Sequence, residues 1–465
     1  MNLYALIQSR FPSDRSKPCL MLPDGRAVSY AMLEQGVGRA AAKLRADGVK
    51  PGDRVAAQVE KSVGTLMLYL ATLQVGAIYA PLNTAYTDAE LDYFIADLEP
   101  RLTIRDIRPF AGASHAFEPD FVITPREAGD TAAIIYTSGT TGRSKGAMLS
   151  HGNLASNAEA LIQTWGYTAD DVLLHALPIF HVHGLFISLH CALMTGSPMI
   201  WLAKFDDAEV IAQLPRATVM MGVPTFYTRL LANPDFTREA ASHMRVFISG
   251  SAPLLEGTFA EFEARTGQRI LERYGMSEAI IITSNPLEGD RVPGSVGLPL
   301  PGVELRIAGD EVGVIEIKGP SVFSGYWRNP EKTAEEFTPD GFFKTGDVGR
   351  RDADGRVWIT GRAKDLIISG GYNVYPKEIE LVLDALPGVT ESAVIGVPHP
   401  DFGEGVVAVV IGAGVESALI AAAREKLAAF KTPKRVLFVD ELPRNAMGKV
   451  QKNLLRERYR DMFKT

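Results

Sequence analysis

Tyr136-Thr137-Ser138-Gly139-Thr140-Thr141-Gly142-Arg143-Ser144-Lys145-Gly146 is the stretch that decides how this 465-residue chain is interpreted. Apolar runs at 132–135 and 147–149 flank it, which is typical of two buried strands joined by a loop. Glycines let the backbone approach a ligand closely, and successive N–H groups form anion-binding concavities. The hydroxyls and Lys145 therefore favour a polyphosphate site, and a solvated linker is the alternative. The Gly-x-x-x-x-Gly-Lys-Ser/Thr phosphate loop is excluded, because the spacing differs and Gly146 follows the lysine.

Length and composition indicate an ordinary globular protein of roughly two to four folding units. Hydrophobic residues make up 46% of the chain, charged residues 22%, and the net charge is −7. No basic run is long enough for a nucleic-acid partner, and no apolar run predicts a membrane span. The two cysteines support neither a disulfide framework nor a metal site. Because the N-terminus has no leader pattern, we expect a cytoplasmic protein.

Strands and helices alternate before Gly294, which predicts a parallel sheet covered by helices. From Gly294 to about Trp358, short strands with Gly, Pro and Asp turns favour a small β-barrel or a distorted sheet. The last hundred or so residues predict a compact α+β unit. We therefore expect an α/β fold with a large N-terminal domain at 1–361 and a small mobile C-terminal domain at 362–465.

Three further segments carry groups that suit a nucleotide. In 272–278, a purine could stack on Tyr274 and Glu278 could hold magnesium, although an ordinary helix cap is the alternative. Asp347 follows a tight turn, where it could accept hydrogen bonds from a ribose or serve only the turn. Lys449 lies in a Gly-containing loop near the C-terminus, where a solvated lysine is the alternative.

Together these segments resemble the adenylate-forming enzymes, which include acyl-CoA synthetases, the adenylation domains of peptide synthetases and beetle luciferases. The resemblance runs from end to end and rests on five segments in the family's order, at 136–146, 274–278, 326–347, 361–380 and 443–449. It implies an enzyme that uses ATP and Mg²⁺ to convert a small-molecule carboxylic acid into an acyl-adenylate. Pyrophosphate leaves in that step, and the acyl group then passes to coenzyme A.

The resemblance also implies roles for individual residues. The residues implied to bind ATP are Thr137, Ser138, Gly139, Thr140, Thr141, Gly142, Lys145, Ser251, Glu272, Arg273, Tyr274, Asp347 and Arg362. Among them Glu272, Arg273 and Tyr274 would frame adenine, and Asp347 and Arg362 would hold the ribose. The catalytic residues would be Lys449 at the reacting carboxylate and α-phosphate, with Glu278 and Thr140 as metal ligands. The hinge would be Lys364, and Gly370 and Gly371 would line the thiol tunnel.

The acid is predicted from segments at the expected acyl pocket, which carry polar and charged groups rather than a long apolar lining. Arg229 follows Pro224 on a predicted helix. If Arg229 points into the pocket, it is a buried cation that a second substrate carboxylate would pair; the alternative is that it points to solvent. These segments, which include His181, Ser277 and Arg291, resemble malonyl-CoA synthetases. Malonate is therefore the predicted substrate, with methylmalonate as a second candidate.

Three other functions stay open at this point. The chain could activate a different short- or medium-chain acid, or it could be a stand-alone adenylation enzyme that loads a carrier protein. A non-catalytic regulator that binds a nucleotide or an acyl group is the third. We expect a monomer or a homodimer with no nucleic-acid partner.

Overall fold

The computed structural model describes residues 1–111, 117–137, 144–370, 372–445 and 448–463. The chain divides into two compact units, the first made of Met1–Glu304 with Ile317–Phe343 and the second of Leu305–Glu316 with Lys344–Thr465. The predicted α/β class, with a large sheet-rich unit and a smaller one, is confirmed. The domain boundary predicted at residue 362 is the hinge of a mobile domain, and it stays a prediction. No helix among the described residues is long and apolar enough to cross a membrane.

Strands and helices alternate through most of the first unit, as the sequence predicts. Its strands are β1 (Pro18–Met21), β2 (Ala27–Ser29), β3 (Arg54–Ala57), β4 (Ile78–Pro81), β5 (Leu102–Ile104), β6 (Thr131–Thr137), β7 (Lys145–Ser150), β8 (Leu173–His175), β9 (Met199–Trp201), β10 (Val219–Gly222), β11 (Val246–Ser249), β12 (Leu271–Met276), β13 (Ile280–Ser284) and β14 (Ser295–Pro299). Its helices are α1 (Leu3–Ser9), α2 (Tyr30–Ala46), α3 (Val63–Gln74), α4 (Asp88–Leu98), α5 (His151–Thr164), α6 (Leu189–Thr195), α7 (Asp207–Gln213), α8 (Pro224–Ala232), α9 (Glu256–Thr266) and α10 (Pro330–Glu336). A π-helical segment, His183–Ser188, leads into α6.

Two sheets organise this unit. One has the strand order β5-β3-β4-β6-β7, in which β3, β4 and β6 run parallel and β7 returns antiparallel to β6. The other contains β14-β13-β12-β11-β10-β8-β9-β1-β2, with parallel pairing from β9 through β8, β10 and β11 to β12. Because parallel strands end at the same edge of a sheet, the residues that follow β8, β10 and β11 gather at one edge, where α/β proteins bind ligands.

Local sequence explains where individual helices begin. Helix α2 begins after Ser29, whose side chain accepts a hydrogen bond from the Met32 amide, and α4 begins with a capping box between Thr87 and Glu90. Helices α7 to α9 cover the second sheet of the first unit. Buried aromatic side chains from α8, α9, β11 and the segment that follows α8 pack in one core cluster, and they are Tyr227, Phe236, Phe247 and Phe262.

The second unit begins with strands that the sequence predicted as a barrel or a distorted sheet. Strands β15 (Glu304–Ala308), β16 (Gly313–Lys318), β17 (Phe343–Arg351) and β18 (Val357–Arg362) pair in that order, with β17 antiparallel to β18. In the part of the chain that the structure describes, they form an open run of neighbours rather than a closed barrel. The distorted sheet is therefore the alternative that the structure supports.

The rest of the second unit is the expected α+β fold. Its strands are β19 (Ile367–Ser369), β20 (Tyr372–Val374), β21 (Val389–His399), β22 (Gly403–Gly412) and β23 (Arg435–Val439), and its helices are α11 (Pro376–Asp384), α12 (Glu416–Lys426) and α13 (Lys452–Arg458). Strands β21 and β22 form a long antiparallel hairpin, and β23 lies parallel to β22. Buried Val394, Val406 and Val410 on this sheet pack with Ile379 and Leu383 of α11.

Candidate active site

The two ends of the glycine-rich loop lie opposite each other at the base of a hairpin. Thr137 is the last residue of β6 and pairs with Lys145, the first residue of β7. The Lys145 ammonium lies 5.1 Å from the centre of the Tyr326 ring, within the range of a cation–π contact. The remaining predicted residues of this loop lie outside the described residues, and these are Ser138, Gly139, Thr140, Thr141 and Gly142.

Glu278 lies in the turn between β12 and β13, so the segment 272–278 forms a hairpin rather than a helix cap. The carboxylate is buried and accepts a 3.1 Å hydrogen bond from the Tyr326 hydroxyl. Burial and the Glu278 charge raise the pKa of Tyr326, which therefore stays a donor. The turn is tight, because a Cβ on Gly275 would meet the Ile280 carbonyl oxygen at 1.9 Å. Ile280 itself has φ +60°, a strained conformation for a β-branched residue.

The predicted adenine-side residues lie on β12 and on the loop after β11. Ser251 has φ +73°, and its hydroxyl is 3.2 Å from Nδ1 of His183. Glu272 is buried and accepts a hydrogen bond from the Leu254 amide at 3.2 Å, which ties this loop to β12. Tyr274 is half-buried farther along the same strand. Glu272 therefore fixes the path of the loop that carries Ser251.

Arg273 is a buried cation with few partners. Its side chain is 4% exposed, and it lies across Gly250, where a Cβ would meet Cζ of the guanidinium at 2.4 Å. Within the described part of the chain, Nε and Nη2 are buried and have no hydrogen-bond partner. Burial lowers the pKa of Arg273 to about 9. Such a group is costly unless an anion reaches it.

Two histidines accompany this arginine. Burial and the Arg273 charge lower the pKa of His181 to about 4 and that of His183 well below its ordinary value, so both rings are neutral at pH 7. Nε2 of His183 and the Ser249 hydroxyl are buried and lack partners among the described residues. These polar atoms and the Arg273 guanidinium form a cluster at the edge where β11 ends, and we call this cluster the Arg273 pocket.

Two arginines predicted for the acyl pocket do different things in the structure. Arg229 is exposed, because α8 buries Tyr227, Leu230 and Leu231 on its opposite side. Of the two alternatives for Arg229, the structure therefore shows the exposed one, whereas Arg273 is a buried cation. The predicted contact of Arg229 with the acid stays a prediction. Arg291 donates to three main-chain carbonyls, those of Pro286 at 3.2 Å, Leu287 at 2.6 Å and Arg269 at 2.5 Å. These hydrogen bonds close a loop, and the predicted contact of Arg291 with the acid stays a prediction.

Ser277 shares the turn with Glu278 and is half-buried. Its predicted contact with the acyl group stays a prediction.

In the second unit, Asp347 and Arg362 face each other on β17 and β18. Arg362 Nε lies 2.8 Å from Asp347 Oδ1, and Asp347 is 3% exposed. The Asp347 amide also donates to Thr345 Oγ1 at 3.1 Å. The pair is held rigidly by the strands that carry it, which suits a role in orienting a ligand, and the predicted ribose contact stays a prediction.

Lys449 lies at the end of a turn in the same unit. Its amide donates to the Asn445 side chain at 3.0 Å, and its carbonyl accepts from the Asn445 amide at 2.9 Å. Desolvation of the ammonium and the Arg362 charge lower the pKa of Lys449 to about 8, whereas Asp347 and Asp365 oppose this shift. The pKa of Lys449 therefore depends on the charges of Asp347 and Arg362.

The predicted hinge and tunnel residues lie between β18 and β20. Lys364 is in a single 3₁₀ turn, and burial together with the Arg362 charge lowers its pKa to about 8. Gly370 has φ +60°, a conformation that glycine adopts without strain. Gly371 lies outside the described residues.

Two residues of this geometry are absent from the sequence-based set, His183 and Tyr326. His183 lies two residues from the predicted His181, and Tyr326 begins the segment 326–347 on which the family resemblance rests. Tyr326 was therefore within a matched segment and His183 was beside a predicted acyl-pocket residue, but only the fold shows what their side chains contact.

Comparison of the sequence with known protein families identifies the family of this chain. The sequence description of AMP-binding enzymes matches residues 8–327, and that of the AMP-binding enzyme C-terminal domain matches residues 378–449. The chain belongs to the AMP-binding enzyme family. The family predicted from the sequence is thereby confirmed.

Particular AMP-binding enzymes are similar over nearly the whole chain. A malonate–CoA ligase of Arabidopsis thaliana is 35% identical over 93% of this chain and 85% of its own length. A feruloyl-CoA synthase of Amycolatopsis sp. is 36% identical over 94% of both chains. The crystal structure of ATP-bound MatB from Rhodopseudomonas palustris superimposes with a TM-score of 0.96 at 52% identity, and covers 100% of this chain and 99% of that one.

Proposed function

We propose that this protein is an ATP-dependent acid–thiol ligase that forms malonyl-CoA from malonate through an acyl-adenylate, with release of pyrophosphate and AMP. The observation that carries the choice of acid is the Arg273 pocket, in which a buried guanidinium has two nitrogens without partners among the described residues. Similarity to the Arabidopsis thaliana ligase and to the MatB structure supports the same substrate.

The Arg273 pocket favours a dicarboxylate for an electrostatic reason. One carboxylate of malonate must remain at the reacting centre, and the other can pair with the guanidinium through a two-pronged contact. The neutral ring of His183 can donate or accept a hydrogen bond without adding charge. A monocarboxylic acid would leave Arg273 buried and unpaired, so it would bind less well. Methylmalonate keeps both carboxylates and is the second candidate.

The first unit supplies groups for the pyrophosphate end of ATP. Lys145 brings a positive charge to the base of the loop, and Glu278 presents a buried carboxylate. No group of three or more His, Cys, Asp or Glu side chains that could hold a metal occurs among the described residues. The Glu278 carboxylate suits Mg²⁺, which is usually held by one or two carboxylates and substrate phosphates. Glu278 would hold the ion, which would offset phosphate charge when bound.

The second unit supplies the cation for the chemical step. We propose that Lys449 acts on the reacting carboxylate and the α-phosphate, where a fixed positive charge stabilises the charge that develops. For coenzyme A, the unit offers the exposed Tyr372 ring, stacked on Phe430 with centroids 4.6 Å apart, beside Lys431. Aromatic faces and cations of this kind suit a purine and its phosphates. A cytoplasmic location and a monomeric or dimeric state stay predictions.

The test is ATP–pyrophosphate exchange with a panel of acids: malonate, methylmalonate, succinate, acetate, octanoate and ferulate. We expect malonate to give the highest kcat/KM, followed by methylmalonate. A preference for octanoate or ferulate would contradict the assignment, and ferulate is included because a feruloyl-CoA synthase is among the relatives. Mass spectrometry of a reaction with free CoA then separates a CoA ligase from an enzyme that loads a carrier protein, because the carrier-loading enzyme forms no acyl-CoA.

A further inference from the structure

One buried side chain touches both charged groups at the pyrophosphate end of the site. Tyr326 is 6% exposed, and its hydroxyl donates to Oε1 of Glu278 at 3.1 Å. The face of the same ring lies 5.1 Å from the ammonium of Lys145. The two contacts use different parts of the side chain, since the hydroxyl serves the carboxylate and the π-face serves the cation.

The backbone around Tyr326 is tied to the same two elements. On the side of the loop, the Trp327 amide donates to the Gly146 carbonyl at 2.7 Å, and the Met148 amide donates to the Gly325 carbonyl at 3.0 Å. On the other side, the Phe323 amide donates to the Glu278 carbonyl at 2.7 Å. The segment 323–327 therefore spans from the hairpin of β6 and β7 to the turn between β12 and β13.

We propose that Tyr326 is a positioning residue that sets Lys145 and Glu278 at a fixed separation, so that phosphate and its metal ion meet both at once. This inference rests on the proposed function. Its basis is that Lys145 and Glu278 belong to different sheets, and that Tyr326 is a buried side chain that contacts both. A hydroxyl donor also holds one carboxylate oxygen of Glu278 in a defined direction.

The first test separates the hydroxyl from the ring. Tyr326→Phe keeps the ring over Lys145 and removes the donor to Glu278. Hydrogen bonds to charged groups are the strong ones. We therefore expect the affinity for ATP in Mg²⁺, measured by titration calorimetry without any acid, to fall about 10-fold. The affinity for ATP in EDTA should change less than about twofold, because the metal-dependent part alone passes through Glu278.

A second variant tests the ring. Tyr326→Leu removes both contacts, so ATP affinity in EDTA should also fall, by about threefold, the size expected for a lost cation–π contact. In a Lys145→Ala background the Phe and Leu variants should bind ATP in EDTA equally. In a Glu278→Gln background, Tyr326→Phe should add less than about a twofold effect, because residues that act through one another are not additive.

Tyr30→Phe is the matched control. Tyr30 is also a buried tyrosine, and its hydroxyl donates to the main-chain carbonyl of Ser197 at 2.9 Å. Loss of the Tyr30 hydroxyl should alter thermal stability about as much as Tyr326→Phe does, and it should leave ATP affinity unchanged. The inference is overturned if Tyr326→Phe binds ATP as the wild type does in Mg²⁺, or loses affinity equally with and without the metal.

Failure of the proposed function would look different. In that case the wild-type protein gives no pyrophosphate exchange with any acid, whereas the calorimetric comparison of Tyr326→Phe with the wild type still reports on Tyr326.

Discussion

Replacing Arg273 with methionine should make the protein more stable and less selective at the same time. Methionine is similar in length, adapts to irregular space and carries no charge. In the structure the Arg273 side chain is 4% exposed and lies across Gly250. Its Nε and Nη2 lack partners among the described residues. The substitution therefore removes an unfavourable group from the ligand-free protein and a binding partner from the complex.

The two magnitudes follow from these contacts. A buried polar group without a partner costs about 1–3 kcal/mol, so relieving two nitrogens should stabilise the free protein by about 2 kcal/mol after lost stem contacts. That corresponds to a rise in melting temperature of about 2–4 °C. Breaking a buried charge pair costs about 3–5 kcal/mol, so kcat/KM for malonate should fall at least about 100-fold. The kcat/KM for propionate, which has no second carboxylate, should stay within about threefold.

Pyrophosphate release with malonate and propionate measures the selectivity, and differential scanning fluorimetry measures the stability. Arg273→Lys is the control, because it keeps the charge but loses the planar fork that matches a carboxylate. We expect that variant to retain an intermediate preference for malonate. If Arg273→Met loses activity equally with both acids, or melts lower while its selectivity is unchanged, Arg273 is not the group that recognises the second carboxylate.

Two other variants test the remaining assignments. Arg229→Ala should keep the ratio of malonate to propionate kcat/KM within about threefold, because Arg229 is exposed and a solvent-exposed charge contributes little. A collapse of that ratio would show that Arg229 recognises the second carboxylate. For Lys449, a pKa of about 8 means that the ammonium form, present below that pH, is lost as pH rises through it. The kcat/KM of adenylation should therefore fall above about pH 8. This fall should be absent in Lys449→Arg, whose guanidinium stays charged. If kcat/KM falls at the same pH in both proteins, another group is responsible.

Much of the fold is visible in the sequence because its patterns are local. Ser29 before an amphipathic run marks the start of α2, and the apolar run at 246–249 is β11. Strand partners are not local, which is why β15 to β18 were compatible with a closed barrel as well as with the open run that forms. The helical stretch that contains Leu185 begins at His183 as a π-helical segment. Packing explains its position, since a Cβ on Gly184 would lie 2.0 Å from the Pro178 carbonyl oxygen.

The candidate site also has residues that the sequence predicts and residues whose surroundings only the fold shows. Motif residues such as Lys145 and Glu278 are recognisable because their chemistry is tied to short segments. The pocket proposed to recognise the acid is not recognisable in this way, since side-chain burial depends on neighbouring elements. Helix periodicity alone allowed Arg229 on either side of α8, and the burial of Tyr227 and Leu230 decides that it is exposed. Arg273 was assigned to adenine by position in its motif, and only the path of β12 past Gly250 shows that its guanidinium is buried.

The charge balance of the Arg273 pocket would let it select a dicarboxylate without binding every anion. Burial and Arg273 lower the pKa values of His181 and His183, so both rings stay neutral at pH 7 and Arg273 is the full positive charge among them. If both histidines were charged, the pocket would repel itself in the free state and attract anions with little regard to shape. A single desolvated cation would instead pair with one extra carboxylate of the substrate. Succinate carries the same charges as malonate on a longer chain, so the malonate-to-succinate ratio reports geometry, whereas the malonate-to-propionate ratio reports charge.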